Sequence, residues 1–467
     1  MLSTLSTRWP FCHIRKRHWV LLRKEVLPFS WPIFIELLGV VLMGIVSTIL
    51  VSRLGQSQTA AIGVSDSMTY IIYSVLAAIE LGGAVLVAQS YGRRNKPQAI
   101  EQARQTLSLN MLISTLFLVA ILLFGQSILG MIAVGADQDV IQLAEIYLTS
   151  IALSYPALAI MLAGSGVLRA VGNSRLPMRV NILINILNII FSYPLIYGFA
   201  GWDGLGLLGA GLGVSCARWV GAIIILVYLA KNDRLPIPFK SYFSPFSRAI
   251  LKDILGIGIP SSIESLMFNI GKLITMLMVA GMGTVAMAGN VIAFSIILLI
   301  NIPGNTLGMA GTVLVAKRLG QNKPKMAYQE LKLIFWAATI LLIISTLLLL
   351  PFIHPVIAFY TTDPEVSSVV VKLFYLNAIM MPFWAASFVL PAAFKGAKDV
   401  KSTMWTAIFS MWGCRICCGY VLGIVLGFGV YGVWIGMYVD WLVRGGIYYS
   451  RLIKMTWLKK FYSTRVG

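Results

Sequence analysis

The sequence predicts an all-α polytopic membrane protein: twelve transmembrane helices in two six-helix lobes, related by a pseudo-two-fold axis along the membrane normal. Three observations carry this. Of 467 residues, 58% are hydrophobic and 12% charged, with mean hydropathy +0.85, whereas soluble domains are roughly one quarter charged. Apolar runs recur from Leu27 to Tyr449, and at ~20 residues per crossing the chain holds about a dozen of them. The two halves also repeat each other. An ordinary soluble enzyme, a disordered chain, a coiled coil and collagen are all excluded by the composition. The 42 glycines and 18 prolines suit closely packed, locally broken membrane helices.

The first six spans are read at about 27–51, 60–90, 105–133, 142–168, 178–199 and 207–230, and the second six at about 254–281, 286–316, 329–356, 366–394, 403–426 and 430–450. This divides the chain into a basic tail (1–26), a first lobe (27–231), a connector containing Pro236, Pro238 and Pro245 (232–253), a second lobe (254–450) and a second basic tail (451–467). The first tail does not read as a cleavable signal, because the apolar run after it is long enough to span.

A net charge of +20 could indicate nucleic acid, so the positions of Lys and Arg decide. They cluster in alternate connections: Arg15, Lys16, Arg17, Arg23 and Lys24; Arg93, Arg94 and Lys96; Arg169, Arg175 and Arg179; the connector; Lys317, Arg318, Lys323 and Lys325; Lys395, Lys398 and Lys401; and the tail from Arg451. The intervening connections carry Arg53, Asp137 with Asp139, Asp203, and Asp363 with Glu365. By the positive-inside rule both termini are cytoplasmic, and the charge needs no nucleic-acid partner. Anionic membrane lipid is a minor further partner for the tails.

The repeat supports the two-lobe plan. At a shift of 228 positions, without a gap, Pro32 falls on Pro260, Glu36 on Glu264, Gly55 on Gly283, Gly83 on Gly311, Val85-Leu86-Val87-Ala88 on Val313-Leu314-Val315-Ala316 and Gly92 on Gly320. At 226, Pro156 meets Pro382, Arg169 meets Lys395 and Met178 meets Met404. Halves with an even number of spans run in the same direction, and such halves hold a substrate cavity near mid-bilayer at their interface.

Catalytic signatures such as H-E-x-x-H, G-x-S-x-G and a Walker A loop are missing, so the chain is read as a transporter, not an enzyme, with no cofactor. Gly204-Leu-Gly206-Leu-Leu-Gly209 spells GxGxxG but follows an extracellular turn and not a strand. Gly209/Gly213, Gly423/Gly427 and Gly432/Gly436 are packing spacings. Of the five cysteines, Cys12 lies in the tail, Cys216 in a span, and Cys414, Cys417 and Cys418 crowd one span; the CxxC at Cys414 is read as packing.

Ionisable residues at membrane depth carry the functional information: Glu36, Glu80, Arg218, Glu264, Lys272, Arg415, Asp440 and Arg444. Asp440 and Arg444 have the spacing of an intrahelical ion pair. Glu36 and Glu264 each stand four residues after a proline, and two readings stay open: satisfying backbone groups freed by the proline, or ion coupling. Glu80 has Gly308 as its repeat partner; an unpaired acid there suits loading and release of a proton, with a structural hydrogen bond or a lipid-side position as the open alternatives. Asn181, Asn185 and Asn188, extended by Ser192, share one helical face, as interhelical contacts or as the lining of a wet cavity.

The chain resembles the multidrug and toxic compound extrusion (MATE) family, of the multidrug/oligosaccharidyl-lipid/polysaccharide exporter superfamily, over nearly its whole length. The residues that carry the likeness are Leu27-Pro28 through Pro32 to Glu36, Met43-Gly44 through Ser47-Thr48, Leu86 through Gln89 to Gly92, and Leu168-Arg169 through Gly172 to Arg175. In the second half they are Gly258 through Pro260 to Glu264, Leu314 through Gly320, Phe394 through Gly396 to Asp399, and Gly432-Val-Trp434 through Asp440-Trp441 and Arg444. The resemblance implies two six-helix lobes and export of cationic or amphipathic organic compounds in exchange for H+ or Na+. The family pattern commonly has Asp at the place of Ser47 and Asn or Asp at that of Ser192; in some branches an acid stands where this chain has Phe268.

The expectation is therefore a monomeric antiporter of the plasma membrane, with ion-coupling candidates Glu80, Glu264 and Glu36. Ser47, Asn181, Asn185, Asn188, Ser192 and Thr275 are the substrate-cavity candidates. Ser47 and Thr275 stand eleven residues beyond Glu36 and Glu264, about three helical turns. The alternatives are a lipid or lipid-linked oligosaccharide flippase, favoured if Arg218, Lys272 and Arg415 point inward, or a non-transporting sensor or scaffold.

Overall fold

The computed structural model describes residues 20–132, 138–199 and 201–463; Cys12, Arg15, Lys16, Arg17 and Asp137 lie outside them. In the first lobe α1 (Leu27–Ser52) continues a π-helical turn at Leu22–Val26 and is followed by α2 (Gln56–Gly92) and α3 (Lys96–Ile132). α4 (Gln138–Ala152) and α5 (Tyr155–Ala170) bend by 49° at their junction and form one crossing. α6 (Arg175–Tyr197), a hairpin of β1 (Gly198–Phe199) and β2 (Trp202–Asp203), and α7 (Leu207–Ala230) complete the lobe. The second lobe contains α8 (Arg248–Ala280), α9 (Thr284–Gly320), α10 (Pro324–Ala358), α11 (Pro364–Gly396), α12 (Val400–Val425) and α13 (Gly429–Ile453). Among the described residues ten helices are long and apolar enough to cross a membrane singly, and the bent pair makes an eleventh. α13, which buries Asp440 and Arg444, completes twelve.

Backbone geometry repeats in the same registers as the sequence. Gly55 and Gly283 both have positive φ, +134° and +103°, as do Arg94 and Asn322, each at 62°. In the second register Gly172 (87°) pairs with Lys398 (64°). Left-handed residues are uncommon outside glycine, so their recurrence in pairs marks two copies of one chain path.

Segment edges differ from the expected ones where polar contacts extend the order. The tail is already helical from Val20. In the connector, the Arg104 guanidinium donates to the carbonyls of Ser241 (3.1 Å), Ser244 (2.8 Å) and Pro245 (2.9 Å). That pins the segment to α3, and α8 starts at Arg248, not 254. Beyond α13 a 3-10 turn, Thr456–Leu458, buries Trp457, whose ring stacks on Phe394 at 5.5 Å. Gly204 follows β2 directly, so a short strand does precede the GxGxxG stretch. Its glycines press on neighbouring backbone, Gly204 on Ile196 and Gly209 on Leu195, which is helix packing. Cys216, Cys414, Cys417 and Cys418 are free thiols.

The lobes meet at the end that carries both described termini. There α2 packs on α8 and α9, and α1 on α9. Gly258 approaches the Ala78 carbonyl, Gly82 the Ile254 carbonyl, Gly92 the Lys317 carbonyl and Gly320 the Gln89 carbonyl. Gln89 Nε2 donates to the Gly396 carbonyl at 3.1 Å. The motif that repeats in the sequence is thus the seam, since residues 82–90 and 310–316 are buried. Toward the opposite end Ile45 and Ile49 of α1 and Met276 and Leu277 of α8 are exposed.

A charged latch backs the seam. Arg318 pairs with Glu330, fully buried at 2.7 Å, and reaches the half-exposed Glu25 ahead of α1. Glu25→Gln is expected to cost under about 1 kcal/mol, as an exposed pair does. Arg318→Ala strands Glu330 and is expected to cost about 3–5 kcal/mol. Thermal unfolding of the purified variants checks the order; equal losses would remove the distinction.

Candidate functional site

The first-lobe carboxylates are brought together by a residue that was not among the site candidates of the sequence. Arg169, at the end of α5, is 5% exposed. Its Nη1 donates to both oxygens of Glu36, at 3.0 and 3.2 Å. Its Nη2 lies 3.4 Å from Glu80 Oε1. The expectation that Glu80 is unpaired is thereby corrected. The bend before α5 and the buried face of α2 bring acid and cation to one depth, and Gly166 on α5 leaves the space that the Glu80 carboxylate occupies.

The second lobe repeats half of this arrangement. Lys395 Nζ donates to Glu264 Oε1 at 2.9 Å, and Thr403 Oγ1, which donates to the Val400 carbonyl at 2.9 Å, lies 3.4 Å from the other oxygen. Arg169 and Lys395 align in the 226 register as Glu36 and Glu264 do in the 228 register; that double coincidence is the sequence signal for both pairs. Gly308 at the repeat position of Glu80 is the difference. In the first lobe two carboxylates share one cation; in the second, one carboxylate has its own.

The polar stripe on α6 divides in two. Asn185 Nδ2 donates to Asn181 Oδ1 at 3.2 Å, and both face Gly39 of α1, where an added Cβ would lie 3.1 Å from Asn185. Ser192 Oγ donates to Asn188 Oδ1 at 2.7 Å. Both are buried, and Ser192 packs on Gly213 of α7. In this conformation α7 closes on Ser192 because Gly213 has no side chain, which accords with the first of the two readings, an interhelical contact. Ser47 is half-buried on α1. Thr275, also half-buried, donates to its own helix at the Lys272 carbonyl, 2.8 Å away. Among the described residues neither is bonded to the carboxylate of its helix.

A third cluster lies deep in the second lobe. Asp440, fully buried, is 3.3 Å from Arg444 Nη2 and 4.0 Å from Arg415 Nε, and accepts a hydrogen bond from Ser410. Ser410 and Arg415 belong to a π-helical stretch of α12, Ser410–Ile416; such bulges are frequent at functional sites. Lys272 stands over the Phe268 ring, 5.1 Å from its centroid. In the first lobe Arg218 donates to Ser154 Oγ at 2.9 Å.

The MatE family model matches residues 32–194 and 260–421, one copy in each lobe. The chain is 29% identical to the uncharacterized transporter YisQ of Bacillus subtilis, over 92% of this chain and 94% of that one. It is 26% identical to the probable multidrug resistance protein NorM of Thermotoga maritima, over 95% of each. A crystal structure of a MATE protein in the bent conformation superposes with a TM-score of 0.84 at 22% identity, covering 97% of this chain and 100% of the other. Twelve helices in two matching lobes, with a family match in each, make this chain a member of the MatE family, a multi-pass membrane transporter and not an enzyme.

Proposed function

We propose that the protein is a secondary active antiporter that exports organic cations or amphipathic compounds in exchange for H+ or Na+, in the plasma membrane with both termini cytoplasmic. The observation that carries the coupling is the sharing of Arg169 by Glu36 and Glu80, which among the described residues leaves one negative charge uncompensated in a largely buried site. A proton or sodium ion neutralises that charge. The lobes join at the terminal end, so the described state is closed toward the cytoplasm, and ion entry from outside is the step that it awaits. A bound ion must favour one lobe arrangement over the other for any flux to be coupled. The likeness to NorM, whose name refers to multidrug resistance, supports this substrate breadth.

The test is uptake of a fluorescent organic cation into proteoliposomes under a proton gradient, a sodium gradient or none. Wild type is expected to respond to one gradient, which names the ion. Glu80→Gln is expected to lose gradient-driven transport at least ~100-fold, a fall within the span of mechanisms removed by a single essential group. Its expression should stay normal, because Arg169 keeps Glu36. Full transport in that variant would remove Glu80 from the mechanism. A lipid or lipid-linked oligosaccharide flippase is the second reading, favoured by the burial of Arg415 beside Lys272, and a labelled-lipid flipping assay tests it.

A further inference from the structure

We infer that Lys272, Arg415 and Arg444 form a seat for an anionic group, a phosphate or carboxylate, on an amphipathic substrate whose apolar body lies against the neighbouring aromatic rings. The three cations converge on one ring: Lys272 Nζ, Arg415 Cζ and Arg444 Cζ lie 5.1, 5.6 and 5.5 Å from the centroid of Phe268. Asp440 is the carboxylate paired with this group, and among the described residues Lys272 pairs with no acid. Glu264, one turn before Phe268 on α8, is already held by Lys395. Three positive charges thus face one negative.

The donors are not used up. Arg415 and Arg444 are each 3% exposed. Among the described residues Arg444 Nε has no hydrogen-bond partner, and the hydrogen bond from Arg415 goes to the Met411 sulfur at 3.6 Å. Among the same residues Tyr438 Oη and Trp441 Nε1, both buried on α13, are also without hydrogen-bond partners. Burying a guanidinium without full pairing is costly, and membrane interiors keep such groups for function. An anion beside Phe268 offers the two guanidinium groups and Lys272 the charge-assisted bonds that such groups make best, whereas a cation would add a fourth like charge.

The rings supply the second half of the recognition. Trp384 stacks on Phe388 at 4.6 Å, Phe388 meets Phe268 edge-on at 6.0 Å and Trp441 at 6.2 Å, and the Arg444 guanidinium lies 4.4 Å from the Phe388 centroid. Lys272 is exposed where the two arginines are not, so it is the group that an entering ligand meets first. The inference rests on the export reading for the direction of movement, and on the geometry alone for binding.

The test is isothermal titration of the full-length protein in a nonionic detergent with dodecyl phosphate, dodecyltrimethylammonium and inorganic phosphate. Dodecyl phosphate is expected to bind at least ~10-fold more tightly than the ammonium compound, the scale of one charge-assisted contact. Lys272→Gln should weaken it about tenfold, and Lys272→Glu should abolish it. Because Lys272 is exposed, both variants are expected to remain monodisperse, which Arg415 variants need not. Binding of inorganic phosphate as well would extend the seat to free anions; binding of dodecyl phosphate alone ties it to amphiphiles. Equal affinity for the two dodecyl compounds, or unchanged binding in both Lys272 variants, would overturn the inference. Export of organic cations without dodecyl phosphate binding sinks this inference and spares the antiporter. Binding without transport under either gradient does the reverse.

Discussion

Replacing Arg169 with Ala is expected to remove a large part of the protein's stability in detergent. The side chain is 6% exposed and neutralises two carboxylates at once; without it Glu36 and Glu80 face each other at membrane depth with no counter-charge. Removing one partner of a buried pair costs about 3–5 kcal/mol, comparable to a substantial share of the ~5–15 kcal/mol by which proteins are stable. Lys395→Ala is expected to cost less, because it strands one carboxylate, that of Glu264, and not two. The decisive variant combines Arg169→Met with Glu36→Gln and Glu80→Gln. Removing all three charges together leaves nothing unpaired, so stability should return while gradient-driven transport does not. Size-exclusion profiles and thermal melts of the three proteins provide the check, and an Arg169→Ala protein as stable as wild type would show that the shared ion pair is dispensable.

Gly320→Val is expected to force the closed end open. A Cβ at Gly320 would overlap the Gln89 carbonyl, and one at Gly92 the Lys317 carbonyl. Both obstacles are backbone, which cannot swing aside as a side chain can, and packed interiors do not absorb such overlap by compression. The seam has to part instead. Spin labels at the exposed Arg93 and Lys323, in a cysteine-free background, should report a separation wider by several ångströms. Gly44→Ala serves as the control, since nothing lies within 4 Å of its added Cβ. An unchanged label distance in a stable Gly320→Val protein would show that the seam is not the closing contact.

Much of the site was legible only in outline. Depth in the membrane singled out Glu36, Glu80, Glu264, Lys272, Arg415, Asp440 and Arg444, because charges there are expensive whatever surrounds them. Their partners were marked only indirectly, by Arg169 and Lys395 recurring in the repeat as Glu36 and Glu264 do. Arg169 and Lys395 sit at helix ends, where positive charge already has a topological explanation, and nothing local says that one reaches Glu80 and the other does not. The place where the family resemblance offers an acid holds Phe268, and only the folded lobe shows three cations gathered on its ring.

The α6 stripe shows the same limit from the other side. Period alone puts Asn181, Asn185, Asn188 and Ser192 on one face, but a face does not say what covers it. Gly39 of α1 meets its first half and Gly213 of α7 its second, so one stripe serves two packing contacts.

The sequence by itself determined twelve crossings and two lobes. Apolar length is fixed by bilayer thickness, and the repeat, with its paired left-handed residues, is a property of chain register. Tertiary structure alone decided which charges meet. An ion pair depends on separations of 3–4 Å between residues more than one hundred positions apart, here Glu36 with Arg169 and Glu264 with Lys395. Those separations come from how helices bend and where glycines let them close, which no spacing along the chain records.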